Sequence, residues 1–392
     1  MKRLSCFLLC AALLLTLCCC TPQSSASMPE TEAVPASERV IGLWVSYSEL
    51  NSMLSDNFNE QFKALLENCR ATGISDLFVH VRAFCDSIYP SELFPLSNAA
   101  AGYNGDLLHD IVELTHQAGL RLHAWINPYR VRTADENIDA LADKSPAKMW
   151  LKDSDPGNDL NVCFSNGIYL NPASEEVRRT VIAGIREILT NYDVDGIHFD
   201  DYFYPTEQAA FDEKSYADYT SGTEHPLSLA DWRRAQVNQL ISGCYTAVKF
   251  FSKDKIFSVS PAASIEKNYS SMYADVKAWM KNGCVDWIIP QLYFGFEYPD
   301  RDFRFDNLLK EWRSVKSAEN VRLIPGIAAY KLGTENEPDR AEWGDNAELI
   351  ARQVKLCREC TYGAVFFSSG SLFSENELNR RALELIKKET AK

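Results

Sequence analysis

Short apolar β-type runs alternate with helical patterns eight times from Val40 onward, and this alternation limits the fold more than any other feature. The expected strands cover residues 41–47, 76–82, 121–126, 196–200, 256–260, 287–293, 322–327 and 363–367. Helical periodicity fills the intervals at 58–71, 107–118, 174–192, 229–251, 273–282, 305–317 and 346–359, with a last helix over 375–388. Eight strands, each followed by a helix, is the count of an α/β (β/α)8 TIM barrel. Most of the runs have no polar face, as suits parallel strands covered on both sides. A doubly wound open sheet is the rival, but Ser46-Tyr47-Ser48-Glu49 after the first run is not a glycine-rich phosphate loop.

Boundary residues agree with this reading. Gly73, Gly119 and Gly283 each fall just past a helix and just before a strand, where a left-handed residue stops the helix. Asn171-Pro172 predicts an N-cap followed by proline at the first helical position. Two connections are long, 127–170 after the third strand and 202–228 after the fourth. Both leave the C-terminal strand ends, where barrel active sites assemble.

The first 20 residues read as a targeting segment. Lys2 and Arg3 precede an apolar run, 7–17, that is short for a membrane span. Cys18, Cys19 and Cys20 follow, then a polar stretch, so residues 1–20 resemble a bacterial lipoprotein signal and 21–38 a flexible linker. Leu17 at the third preceding position and the small Cys19 favour Cys20 as the lipidated residue. An ordinary secretory signal or an uncleaved anchor is the alternative. Either way the protein is expected outside the cytoplasm, with one barrel domain over 39–392.

Seven cysteines lie beyond the leader: Cys69, Cys85, Cys163, Cys244, Cys284, Cys357 and Cys360. Scattered and odd in number, they make no disulfide framework. Cys357 and Cys360 have the spacing of a redox or zinc pair, but they sit late in a helical pattern without a second pair, as structural thiols would. The formal charge of −14 becomes −16 without Lys2 and Arg3, which argues against nucleic acid or anionic lipid headgroups as the main partner.

The fourth strand carries the chemistry. In Asp195-Gly196-Ile197-His198-Phe199-Asp200-Asp201-Tyr202-Phe203-Tyr204-Pro205 a buried run stops in two carboxylates followed by aromatics. Carboxylates can move protons or attack an anomeric carbon, and aromatic faces hold sugar rings. Adjacent residues on a strand point to opposite faces, so Asp200 and Asp201 are not expected to form the catalytic pair by themselves. Asp86 after the second strand and Glu297 after the sixth are the candidates for a partner acid. Arg82, His123, Trp125, Asn127, Tyr129, His198, Tyr202, Gln291 and Tyr293 are the expected substrate-binding groups, at or near strand ends except for His123 and His198, which sit inside strand patterns. No cofactor is expected, and no Gly-x-Ser-x-Gly elbow or dinucleotide fingerprint occurs.

These motifs give the chain a family resemblance. Gly42-Leu43-Trp44-Val45, Ala124-Trp125-Ile126-Asn127-Pro128-Tyr129, Tyr169-Leu170-Asn171-Pro172, the fourth-strand stretch and Pro290-Gln291-Leu292-Tyr293 together resemble the glycosyl hydrolase-like 10 family of bacterial envelope lipoproteins, over roughly residues 40–330. Phe294 stands where that family usually has tryptophan, and Asn171 where aspartate is common. The resemblance implies a (β/α)8 barrel acting as a glycoside hydrolase on envelope glycans, with peptidoglycan strands as substrate and the membrane met through the lipid anchor. Two other functions compete. A glycan-binding barrel without turnover would explain the few acids at strands five, seven and eight. A zinc-dependent hydrolase or deacetylase would use His80, His123 and His198, although no His-x-His pair occurs.

Overall fold

The computed structural model describes residues 34–35, 38–335, 338 and 340–391. The signal expectation and Cys20 lie outside them, as does most of the linker. Barrel strands one to six are Val40–Val45, Asp76–Arg82, Arg121–Ile126, Gly196–Phe199, Ile256–Val259 and Trp287–Ile288. Strand seven comes in two pieces, Arg322–Leu323 and Gly326–Ala328, and strand eight is Gly363–Phe367. All pairings among them are parallel.

Strand seven closes the ring by bending. Its first piece pairs with strand six and its second with strand eight. Pro325 interrupts it, since proline has no N–H to donate. Across the bend Gly326 N donates to Pro290 O (2.8 Å), and Val365 N donates to Pro325 O (2.9 Å). The sheet is thus an α/β (β/α)8 barrel.

Each barrel strand is two-faced, although both faces are buried. Ile41, Leu43 and Val45 face the surrounding helices, as do Leu77, Val79 and Val81, and then Leu122, Ala124 and Ile126. Val40, Trp44, Phe78, Trp125, Trp287, Ile289, Ile324 and Val365 form a separate cluster that fills the interior. Glycine makes room for these large rings. A Cβ on Gly326 would lie 3.0 Å from the Trp44 ring, and one on Gly196 would lie 2.5 Å from His123 Nδ1.

Several expected boundaries shift. Strand one stops at Val45 because Ser46 caps helix Tyr47–Leu54 through a capping box with Glu49. Strand six has only two residues, and Gln291 continues it as isolated bridges to Ala262 and Gly326. The expected 273–282 helix is preceded by a short one, so that Ile265–Ser270 and Val276–Asn282 share the segment. Helix Glu175–Asn191 is capped by Ser174, not Asn171, whose side chain instead accepts from Ala173 N in a turn. Gly73 and Gly283 do end their helices at left-handed φ, 75° and 65°. Cys357 and Cys360 lie in helix Glu348–Cys360, and the former is buried.

The long connections have structure of their own. Residues 127–170 contain an antiparallel sheet of Arg130–Thr133, Val162–Phe164 and Gly167–Leu170 together with helix Pro146–Lys152. Residues 202–228 contain helix Glu213–Ser221. The second connection is pinned from below by Arg233, which pairs with Asp212 (2.5 Å, neither side chain exposed). Arg233 also donates to the carbonyls of Glu207 and Gln208 and to Tyr273 Oη. A buried pair satisfied this fully fixes its loop firmly, because removing either partner would strand the other charge. Among the described residues no helix is long and apolar enough to cross a membrane.

Candidate active site

Side chains on the inward face of successive strands rise to the C-terminal end of the barrel and line a cleft of about 670 Å³. Trp44, His80, Trp125, Asp200, Ser260, Gln291 and Phe367 supply the floor and walls. Tyr47, Tyr202 and Tyr330 stand at the rim, where Tyr202 is 53% exposed. Rings left half in water at the mouth of a polar cleft are suited to stacking on a sugar face.

Asp200 and Asp201 both reach this cleft, contrary to the expectation that they diverge. Strand four ends at Phe199, so the pleat that would send neighbours to opposite faces stops before them. Asp200 is 3% exposed and is held by three donors. Trp125 Nε1 donates to Oδ2 (3.1 Å) and Tyr202 N to Oδ1 (3.3 Å). The Asn127 carboxamide satisfies both its ends with its nitrogen toward Asp200 Oδ1 (2.9 Å) and its oxygen toward Arg130 Nε (3.0 Å). Arg130 lies in turn over the rings of Phe84 (4.6 Å) and Tyr202 (4.9 Å). Asp201 is less buried and accepts at Oδ1 from Gln291 Nε2 (3.2 Å).

The two carboxyls titrate as a pair. Burial, then the charge of Asp201, pushes Asp200 up to about 7, and Arg130 opposes this. Burial also raises Asp201. Two acids sharing one desolvated spot keep a proton between them into the neutral range. The N–H donors around Asp200 oppose the rise without cancelling it, so Asp200 holds its proton up to about 7.

The opposite rim carries a third carboxylate that sequence reading passed over. Glu49 Oε2 accepts from Ser46 N (2.8 Å) and Ser46 Oγ (2.7 Å). Its Oε1 accepts from Ser368 Oγ (2.6 Å) and Gly370 N (2.5 Å). With both oxygens occupied twice, it acts as a staple between the first and last strand ends. Arg130, His80, Tyr47 and Tyr330 also line the cleft without being in the expected catalytic or substrate-binding set, as do Trp44, Ser260 and Phe367. Inward parity at strands one to three, counted back from Trp44 and Trp125, is the signal that would have put His80 in the cleft and not only among the histidines considered for zinc.

Several expected site residues lie elsewhere. Glu297 is outside the cleft, its side chain 72% exposed and 4.0 Å from Arg304. Asp86 sits behind Phe84, where it accepts from Phe84 N (3.1 Å) and burial raises its carboxyl. Arg82 never faces the acids. A register shift between His80 and Arg82 turns it out of the barrel, over the Phe94 ring (4.1 Å) and against Gly184. Tyr129 is wholly buried in the helix-facing core. His123 and His198 lie beneath the cleft and support its floor. His123 pairs with Asp76 (2.8 Å), while His198 Nε2 accepts from Trp44 Nε1 (3.0 Å) and its Nδ1 bonds Ser258 Oγ (2.8 Å). Burial holds His198 well below the ordinary histidine range, which suits this neutral tautomer. His80 instead stacks on Trp125, centroids 3.9 Å apart, with neither ring nitrogen bonded to protein. The three strand histidines therefore make separate contacts and share no ligand point. Trp125, Asn127, Tyr202, Gln291 and Tyr293 remain at or beside the acid pair.

Known proteins resemble this chain in sequence and in fold. A family model described as Glycosyl hydrolase-like 10 matches residues 39–345. Glycosyl hydrolase YngK of Bacillus subtilis (strain 168) is 30% identical over 332 residues, covering 79% of this chain and 62% of that protein. The chain thus spans less than two thirds of that relative. Glycosyl hydrolase DigH of Escherichia coli (strain K12) is 29% identical over 421 residues, covering 95% of this chain and 92% of that protein. In fold, the chain resembles the PgaB (BpsB) glycoside hydrolase domain from Bordetella bronchiseptica, with TM-score 0.59 and 13% identity over 87% of this chain and 97% of that one. It also resembles the catalytic domain of β-amylase from Paenibacillus polymyxa, with TM-score 0.56 and 12% identity over 89% and 97%. Identities that low speak to architecture alone. The family match over most of the barrel, with the acid pair at the end of strand four, makes the chain a member of the glycosyl hydrolase-like 10 family.

Proposed function

We propose that the protein is an exported, lipid-anchored glycoside hydrolase that cleaves glycan strands of the cell envelope, with peptidoglycan as substrate and Cys20 as the anchor. The observation that carries this reading is the Asp200–Asp201 pair, which holds a proton near neutral pH at the base of a cleft rimmed by tyrosines. Asp201 serves as the acid that protonates the departing sugar oxygen and then as the base that activates water. Asp200 is the carboxyl beside it, oriented by Trp125 and Asn127. Arg130 favours its charged form as the site takes on positive charge. The rings at the rim would grip sugar units along a strand. Relatives named as glycosyl hydrolases support the reaction class, and the leader sequence supports the location.

The deciding experiment is mass spectrometry of products after purified protein meets peptidoglycan glycan strands, with and without stem peptides. Release of shorter strands with new reducing ends is expected, and it should vanish in Asp201→Asn. A barrel that binds glycans without cleaving them is the second reading. Its support is that Glu49, across the cleft, has no oxygen left for catalysis. Tight binding with no new ends after long incubation would establish it instead.

A further inference from the structure

Cleavage by two carboxylates needs them on either side of the scissile bond, about 5 to 10 Å apart. Among the described residues lining this cleft the carboxylates are Glu49, Asp200 and Asp201. The two aspartates are chain neighbours on one wall. Glu49 faces them already saturated, with two donors on each oxygen. Asp86 and Glu297 are outside the cleft. Tyr293 offers no phenolate, because burial, reinforced by Tyr330 and the acid pair, holds its hydroxyl well above the ordinary tyrosine range. Among the described residues no carboxylate of the cleft is free to attack the anomeric carbon, or to activate water, from the face opposite Asp201.

Resting on the hydrolase reading, we propose that the nucleophile belongs to the substrate: the 2-acetamido group of a β-linked N-acetylhexosamine. A β-linked leaving group is trans to that acetamide, so its carbonyl oxygen can reach C1 from the far side. Asp200 has the position and fixity to accept the acetamide N–H. A carboxylate can take about four hydrogen bonds, and Trp125, Asn127 and Tyr202 supply three donors. Electron density is thereby pushed onto the carbonyl oxygen. That oxygen bonds to C1 while the C1–O bond to the leaving sugar breaks, and the departing oxygen takes its proton from Asp201. The ring formed is an oxazolinium ion, and Asp200 lies against its positive charge. Water then attacks C1 and gives a proton to the Asp201 carboxylate. The ring C1–O bond breaks and the acetamide is restored. One water is consumed, one glycosidic bond is lost, and the product keeps the β configuration.

The assignment fixes the substrate class as glycans acetylated at nitrogen on the sugar whose bond is cut. The test uses the full chain on peptide-free glycan strands before and after chemical N-deacetylation, with the product anomer read by proton NMR at early times. Acetylated strands should be cleaved to the β anomer. Deacetylation should cost at least about 100-fold in rate, the scale expected when an oriented internal nucleophile is lost. A thiazoline mimic of the bicyclic intermediate should inhibit competitively. On an aryl β-N-acetylhexosaminide, whose leaving group departs without a proton, Asp201→Ala should be rescued by azide, giving the β-glycosyl azide. An α product from wild type, or equal rates on both kinds of strand, would overturn the proposal and leave the hydrolase standing. No cleavage of either strand by folded wild-type protein would remove the hydrolase reading and this proposal with it. The wild-type comparisons decide the matter even if Asp201→Ala does not fold.

Discussion

Glu49 and Ser368, 319 residues apart in the chain, meet at 2.6 Å on the rim of the cleft. The contact joins the helix that follows strand one to the end of strand eight, so the acid clamps the seam where the barrel closes. Glu49→Ala removes the acceptor for Ser46, Ser368 and Gly370 together. A loss of about 2–4 kcal/mol in urea unfolding is expected, as several charged hydrogen bonds go at once. Glu49→Gln, which keeps part of the set, should lose less. An unchanged unfolding midpoint in Glu49→Ala would show that the clamp does not hold the seam.

Asp200 links stability to pH. In the unfolded chain an aspartate loses its proton near about 4, whereas in the fold Asp200 keeps it to about 7. Between those values the native state binds more protons, so this group's contribution is present below about 4 and is lost as pH rises toward 7. Asn at this position stays neutral throughout. Asp200→Asn should therefore gain on wild type across that window, reaching on the order of a few kcal/mol at pH 8. Thermal unfolding of both proteins from pH 4 to 8 checks it, and a constant difference would contradict the buried charge.

Catalysis should follow the same proton in the opposite sense to a base-limited enzyme. If Asp201 donates the proton that the pair shares, the cleavage rate falls as pH passes about 7 and the pair empties. Trp125→Phe removes a donor that lowers the Asp200 value. The falling limb should then move to higher pH while the fold is retained. A pH–rate profile of each protein reads this directly.

Asp201→Asn should lose about 10²- to 10⁴-fold in turnover, the usual range for a general acid. Its circular dichroism should match wild type. Retained turnover in Asp201→Asn would end the assignment of the acid.

Tyr202 offers a separate readout because it is half in water at the rim. Tyr202→Ala should raise KM about 5-fold, or roughly 1 kcal/mol of lost ring stacking. The urea midpoint should barely move. A fall in kcat with KM unchanged would place this ring in the chemistry, not in binding.

Much of this architecture is legible in the sequence. Strand and helix order followed from apolar runs separated by helical periods, and the glycines at 73 and 283 stop helices for a reason local to their own backbone. The acid pair was equally plain, because nothing else in the chain ends a buried run in two carboxylates. Legibility failed wherever a side chain's direction depends on its neighbours. Arg82 looked like a strand-end cation for the acids, but one register slip against strand three turned it into the helix layer. Asp200 and Asp201 looked divergent, but the strand ended one residue too soon for the pleat to apply.

The sequence by itself determined the barrel, its family and the strand that bears the acids, because local periodicity and hydrophobic burial fix where each element lies. Tertiary structure alone decided which carboxylates share the cleft. Glu49 arrives there from the first strand end, already committed to Ser368, while Asp86 and Glu297 remain outside. The reason is geometric: a cleft at a barrel mouth is assembled from residues hundreds of positions apart. Their meeting depends on closure and register, which no local pattern encodes.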